Sequence, residues 1–77
     1  MKITVRLLAE LKVLSPSMRE ETEMDVPPGT SISEVIEKLD LPSHMVAIIL
    51  NNKKMAKRAD LVQGGDIIEL IPPASGG

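Results

Sequence analysis

The sequence contains no cysteine, phenylalanine, tyrosine or tryptophan, and a single histidine, His44. Each absence closes off a class of function. Without thiolates there is no disulfide staple, no cysteine nucleophile and no thiolate metal centre, and one histidine cannot build a two-histidine zinc motif. No metal site is expected. Without aromatic rings there are no base-stacking platforms, and a net charge of -2 offers no electrostatic footprint for a phosphate backbone, so no nucleic-acid partner is expected. The first residues, MKITVRLLAELK, carry Lys2, Arg6 and Glu10 among their apolar positions. That fits neither a secretory leader nor a membrane span, and the expectation is a cytoplasmic protein with no membrane partner.

What is present is an aliphatic chain of 77 residues, near the lower limit at which an apolar core holds a fold without a staple. The core has to come from Ile, Leu, Val, Met and Ala, with the five methionines as gap fillers. No repeat, low-complexity run or linker divides the sequence. It reads as one domain over residues 1–73 and a tail over residues 74–77.

Ile3, Val5 and Leu7 alternate with Lys2, Thr4 and Arg6, the period-two pattern of a half-buried strand. Glu10 to Leu14 reads as a helical turn, broken at Ser15-Pro16-Ser17. A second strand follows, with Thr22, Met24 and Val26 alternating with the acidic Glu21, Glu23 and Asp25, and Pro27-Pro28-Gly29 ends it. Ser31 with Glu34 three residues later forms a capping-box pattern, and Ile32, Val35, Ile36 and Leu39 make one apolar stripe of a helix that Pro42 brings to an end.

MVAIILNN is a third strand with a turn at Asn51-Asn52, Lys54 to Ala56 a short fourth, and Asp66 to Ile71 the last, after a Gly64-Gly65 turn. The order β-β-α-β-β predicts an α+β fold of the β-grasp type. Its mixed sheet of four to five strands packs on one main helix, with the first and last strands parallel neighbours. Alternation places Val46, Ile48, Leu50, Ile68 and Leu70 towards the helix. It leaves Ala47, Ile49, Ile67 and Ile71 on the open face, and Leu8, Ile49, Ile67 and Ile71 are therefore the expected partner interface.

The ending PPASGG carries the chemistry. Pro72-Pro73 stops the ladder, and the four residues Ala74, Ser75, Gly76 and Gly77 reach roughly 13 Å when extended. Two glycines without Cβ thread a channel too narrow for other residues. The reactive group is then the carboxylate of Gly77, with Pro72, Pro73, Ala74, Ser75 and Gly76 as the threading segment. A carboxylate needs activation, most simply by ATP, and the chain has no phosphate loop of its own. A partner enzyme is implied, and no catalytic residue is expected within the chain.

The segment GDIIELIPPASGG, Gly65 to Gly77, and the stretch LLAELKVL, Leu7 to Leu14, resemble the MoaD/ThiS family of ubiquitin-like sulfur carriers, its MoaD branch above all. The resemblance implies that an E1-like adenylating enzyme (MoaB/MoeB/ThiF-like) uses ATP to activate Gly77. A sulfur donor would then convert it to a thiocarboxylate, which gives its sulfur to a pterin precursor on a larger, MoaE-like subunit of molybdopterin synthase. No cofactor is bound by the carrier. Ile71 and Asn51-Asn52 depart from the aromatic and the Asn-Gly usual in that family.

Relatives that serve thiamin synthesis, transfer-RNA thiolation or protein conjugation share the same ending, and a β-grasp binding module with an inert tail is the remaining alternative. The basic run Lys53, Lys54, Lys57 and Arg58 reads as a solvated loop, and His44 as a surface or capping residue.

Overall fold

The computed structural model describes residues 1–9, 11 and 20–73. The expected turn over Glu10 to Leu14 lies outside the described residues except for Leu11, which is buried, and so does its break at Ser15-Pro16-Ser17. Strands β1 (Lys2–Leu7), β2 (Glu21–Asp25), β3 (Ile48–Asn51), β4 (Lys54–Ala56) and β5 (Ile67–Ile71) join in one sheet of order β2-β1-β5-β3-β4. β1 and β5 are parallel and every other pair is antiparallel. This is the β-grasp arrangement read from the sequence, with the last strand at the centre.

Helix α1 (Ile32–Lys38) starts where the capping box places it. Ser31 Oγ accepts from the Glu34 amide and Glu34 Oε1 accepts from the Ser31 amide, both at 3.2 Å. Its stripe Ile32, Val35 and Ile36 is buried, with Leu39 partly so, against Val5, Leu7, Ile68 and Leu70 of the sheet. The helix ends before Pro42 acts on it. Asp40 turns into the left-handed region at φ 56°, its amide donating to Glu37 O at 3.0 Å while Leu41 N reaches Ile36 O at 3.5 Å. That pair of bonds is the Schellman ending, and Leu41 buries its side chain in the same core as Ile36.

An aspartate pays a steric cost at positive φ and places a negative charge at the negative end of a helix. Asp40→Gly is therefore expected to stabilise the domain by about 0.5–1 kcal/mol, read as a rise of roughly 4 °C in the thermal midpoint.

β3 departs from the sequence reading in register. After a short 3₁₀ turn (Ser43–Met45), Val46 is buried. Ala47 then donates to Ile71 O at 2.8 Å although Ile48 is the residue in register with Ile71. Two residues of β3's approach thus stand opposite one of β5, a bulge that shifts the alternation by one. Ile49, expected on the open face, is instead buried opposite Leu70, whereas Ile48 and Leu50, expected towards the helix, lie on the open face opposite Ile71 and Glu69.

The β3–β4 turn also moves by one residue. Asn51 closes the strand, and Asn52 and Lys53 hold φ of 52° and 70°, the two positive values that a two-residue type I′ hairpin requires.

Among the described methionines, Met1, Met24 and Met45 pack against the core as gap fillers, while Met55 is 75% exposed. It stands on the open face, opposite Leu50.

Candidate functional site

β5 is the strand that delivers the tail. Parallel β1 flanks it on one side and antiparallel β3 on the other, and both neighbours hold its end: Leu8 N donates to Leu70 O at 3.1 Å and Ala47 N to Ile71 O at 2.8 Å. Pro72 then ends the ladder, having no amide to offer. Pro72 is buried and Pro73 exposed, so the chain leaves the body at Pro73, and Pro72, counted from sequence with the threading segment, is anchored in the domain. Ala74, Ser75, Gly76 and Gly77 lie outside the described residues.

The sheet face opposite α1 surrounds this exit. Ile67 and Ile71 are half-buried on it, as the sequence implied, and Leu8 is half-buried beside the exit. Leu8 lines, with Arg6, Glu20 and Glu21, a cleft of about 260 Å³ at the top of β1 and β2. Ile49 does not belong to this surface; Ile48, 40% exposed, takes its place, with Leu50 and Met55. The result is an apolar band over β5, β3 and β4 at the root of the tail.

Charge borders the band on one side. β2 presents Glu21, Glu23 and Asp25, exposed as the sequence implied. Arg6 Nε donates to Glu21 Oε1 at 2.8 Å, and that hydrogen bond, with the Glu21 charge, raises the guanidinium pKa above its ordinary value. The N-terminal ammonium lies 3.0 Å from Asp25 Oδ1, and by hydrogen bond and charge it lowers the Asp25 carboxyl.

Asp66, which the sequence assigned only to the start of the last strand, holds the far end of β5. Its Oδ2 accepts from Asn51 Nδ2 at 2.9 Å and from the Gln63 amide at 2.8 Å, and its Oδ1 from Asn52 Nδ2 at 3.2 Å. Asn52 Oδ1 in turn accepts from the Ile67 amide at 3.0 Å. The Gln63–Asp66 turn is the glycine turn foreseen from sequence, with Gly65 at φ 89°. Burial pushes the Asp66 carboxyl upward, but the hydrogen bonds from Asn51, Gln63 and Asn52 together outweigh it and leave its pKa below the ordinary 3.8.

A carboxyl with a depressed folded pKa contributes stability that is complete above 3.8 and is lost as pH falls through the lower folded value. Asp66→Asn is thus expected to cost about 1–3 kcal/mol at neutral pH by setting amide donors against donors. It should also flatten the loss of stability below pH 4 in urea melts repeated across acid pH.

Two further positions escaped sequence reading. Arg58, in the run read as a solvated loop, donates through one guanidinium nitrogen to Ser43 O at 2.6 Å and Val46 O at 2.7 Å, tying the β4–β5 connection to the 3₁₀ turn. Lys53 pairs with Glu69 on the open face. His44 is exposed in the 3₁₀ turn. Among the described residues no three His, Cys, Asp or Glu side chains cluster in a way that could hold a metal ion, and no helix is long and apolar enough to cross a membrane.

The ThiS family model matches residues 5–77. No curated protein matches the chain. Among solved structures, the putative molybdopterin converting factor subunit 1 of Pyrococcus furiosus is 20% identical with a TM-score of 0.76, covering 96% of this chain and 99% of that one. Small archaeal modifier protein 1 of Haloferax volcanii is 17% identical at TM-score 0.74, over 95% of this chain and 98% of its own. The complex of subunits 1 and 2 of the molybdopterin-converting factor from Helicobacter pylori contains a chain 22% identical at TM-score 0.66, with full coverage of both (100%).

Proposed function

Because the chain belongs to the ThiS family of small ubiquitin-like carrier proteins, we propose that its carboxylate at Gly77 is the group that carries sulfur. A carboxylate oxygen attacks the α-phosphate of ATP in a partner E1-like enzyme, giving an acyl-adenylate and pyrophosphate. A sulfur nucleophile at the level of sulfide, from a donor protein, then displaces AMP and leaves a thiocarboxylate.

The observation that carries this reading is the exit itself. A central strand clamped by both neighbours ends in a buried proline followed by an exposed one. Whatever follows Pro73 therefore starts from a rigid point at the surface, and a partner that grips the body presents the tail at a constant distance from its own catalytic groups. The carrier catalyses nothing; it orients.

The acceptor in this reading is a pterin precursor on a larger synthase subunit, as in molybdopterin synthesis. The double proline before the glycine pair supports it, and so does the two-subunit complex that the related Helicobacter pylori chain forms. The same activated carboxylate could instead be attacked by lysine amines, as the name of the Haloferax volcanii modifier suggests for that protein.

Intact-mass spectrometry after incubation with the organism's own adenylating enzyme, ATP and a sulfur donor separates these readings. Replacement of one oxygen by sulfur at Gly77 is the expected result. An unaltered mass refutes the carrier reading, and a ladder of lysine conjugates in its place establishes the modifier. The same spectrum reads whether Gly77 is the last residue.

A further inference from the structure

Glu69 is out of place on the open face. It sits at the middle of β5, in register with Arg6 on β1 and Leu50 on β3 and between Ile67 and Ile71 along its own strand, and its side chain is only 8% exposed. A carboxylate so placed needs partners. Lys53, whose side chain is 72% exposed, donates to Oε2 at 3.3 Å, and although its Nζ also lies 3.2 Å from Oε1, Oε1 accepts no hydrogen bond among the described residues. Arg6 directs its Nε to Glu21 instead. One oxygen of a nearly buried carboxylate is thus left with unused acceptor capacity at the centre of an apolar band.

We propose that the open face docks a different protein which brings a guanidinium side chain to Oε1 of Glu69, and that the same carboxylate turns away a second copy of this chain. The inference deepens the carrier reading, and rests on it in taking the face at the tail's root to be covered in use.

Two arguments select the occupant. The first is symmetry. β5 is the middle of the sheet's five strands, so two copies stacked face to face about an axis along the strands would lay Glu69 on Glu69. An axis across the strands would instead lay the acidic β2 edge, Glu21, Glu23 and Asp25, upon itself. Both pairings oppose like charges in a desolvated interface.

The second is chemistry. One ammonium already lies against the two carboxylate oxygens, at 3.2 Å from Oε1 and 3.3 Å from Oε2. The lone pairs it leaves accept a flat, weakly hydrated guanidinium whose faces rest on Ile48, Leu50, Ile67 and Ile71, where a strongly hydrated second ammonium fits poorly.

Sedimentation of the full chain and of Glu69→Leu tests the first half. The unaltered protein should remain monomeric while Glu69→Leu shifts to a dimer; a dimeric unaltered chain, or a monomeric Glu69→Leu, overturns the proposal. Guanidinium chloride at sub-denaturing concentration, against choline chloride at equal ionic strength, is the probe for the second half. The expected result is a saturable shift of the Leu50, Ile67 and Ile71 methyl resonances that is lost in Glu69→Gln, a variant that keeps the size of the side chain. No saturable shift, or one that survives in Glu69→Gln, overturns it. Neither measurement involves Gly77, sulfur or an activating enzyme, so failure here and failure of the carrier reading are separate results.

Discussion

Deleting Gly76 and Gly77 should abolish sulfur loading entirely while leaving the thermal midpoint of the domain where it was. The first half follows from chemistry. The chain has eleven Asp and Glu side chains, each as good a nucleophile towards ATP as the terminal group, so selectivity has to come from reach and width rather than from reactivity. A tail shortened by two residues loses roughly 7 Å of reach, which removes the carboxylate from any site built to accept the full length.

The second half follows from packing. Among the described residues the core around Val5, Ile68 and Leu70 ends at Leu70, and the deletion removes none of its side chains. A finer variant separates reach from width. Gly76→Val keeps the carboxylate and the length but adds a β-branched side chain, and activation should fall on the order of 100-fold if the channel is narrow. Pyrophosphate exchange with the adenylating enzyme measures both variants; full activity in the deletion would remove Gly77 from the mechanism.

Much of this was legible in the sequence because its signals are local. The alternation of Ile3, Val5 and Leu7, the Ser31–Glu34 box and the Pro72 stop each act within a few residues, and each element appears where those signals place it. The β3 register was not legible, because MVAIIL is apolar at every position and alternation has no phase to read there. The phase is set by the bulge opposite Ile71, a contact between residues 24 apart in sequence, Ala47 and Ile71.

The same blindness hid Glu69. Within IIELI its charge reads as the polar side of a strand, and only the pairing of β5 between β1 and β3 shows that this side is nearly closed to water. The hairpin turn slipped by one because Asn51 and Asn52 are equally tolerant of positive φ. What separates them is that Asn51 is still in register with Ile68 while Asn52 is free to turn.

Leu70→Ala should all but unfold the protein, whereas Ile71→Ala, one residue on, should cost under about 1 kcal/mol. Leu70 is fully buried and stands between Leu7 and Ile49, themselves buried, in the central strand. Truncation there loses the transfer energy of the removed carbons and leaves a cavity that two paired strands cannot close, about 3–5 kcal/mol. A chain of 77 residues has a total stability of about 4–11 kcal/mol at ordinary values per residue. With neither disulfide nor aromatic ring in reserve, this one belongs at the lower end of that range. Most of the margin disappears with one side chain.

Ile71 points to the other face, where it is only half-buried and no cavity forms. Urea titrations of the two variants at neutral pH read the difference directly. A larger loss in Ile71→Ala than in Leu70→Ala would mean that the faces of β5 are reversed, and with them the placement of Ile67, Glu69 and Ile71 around the tail's root.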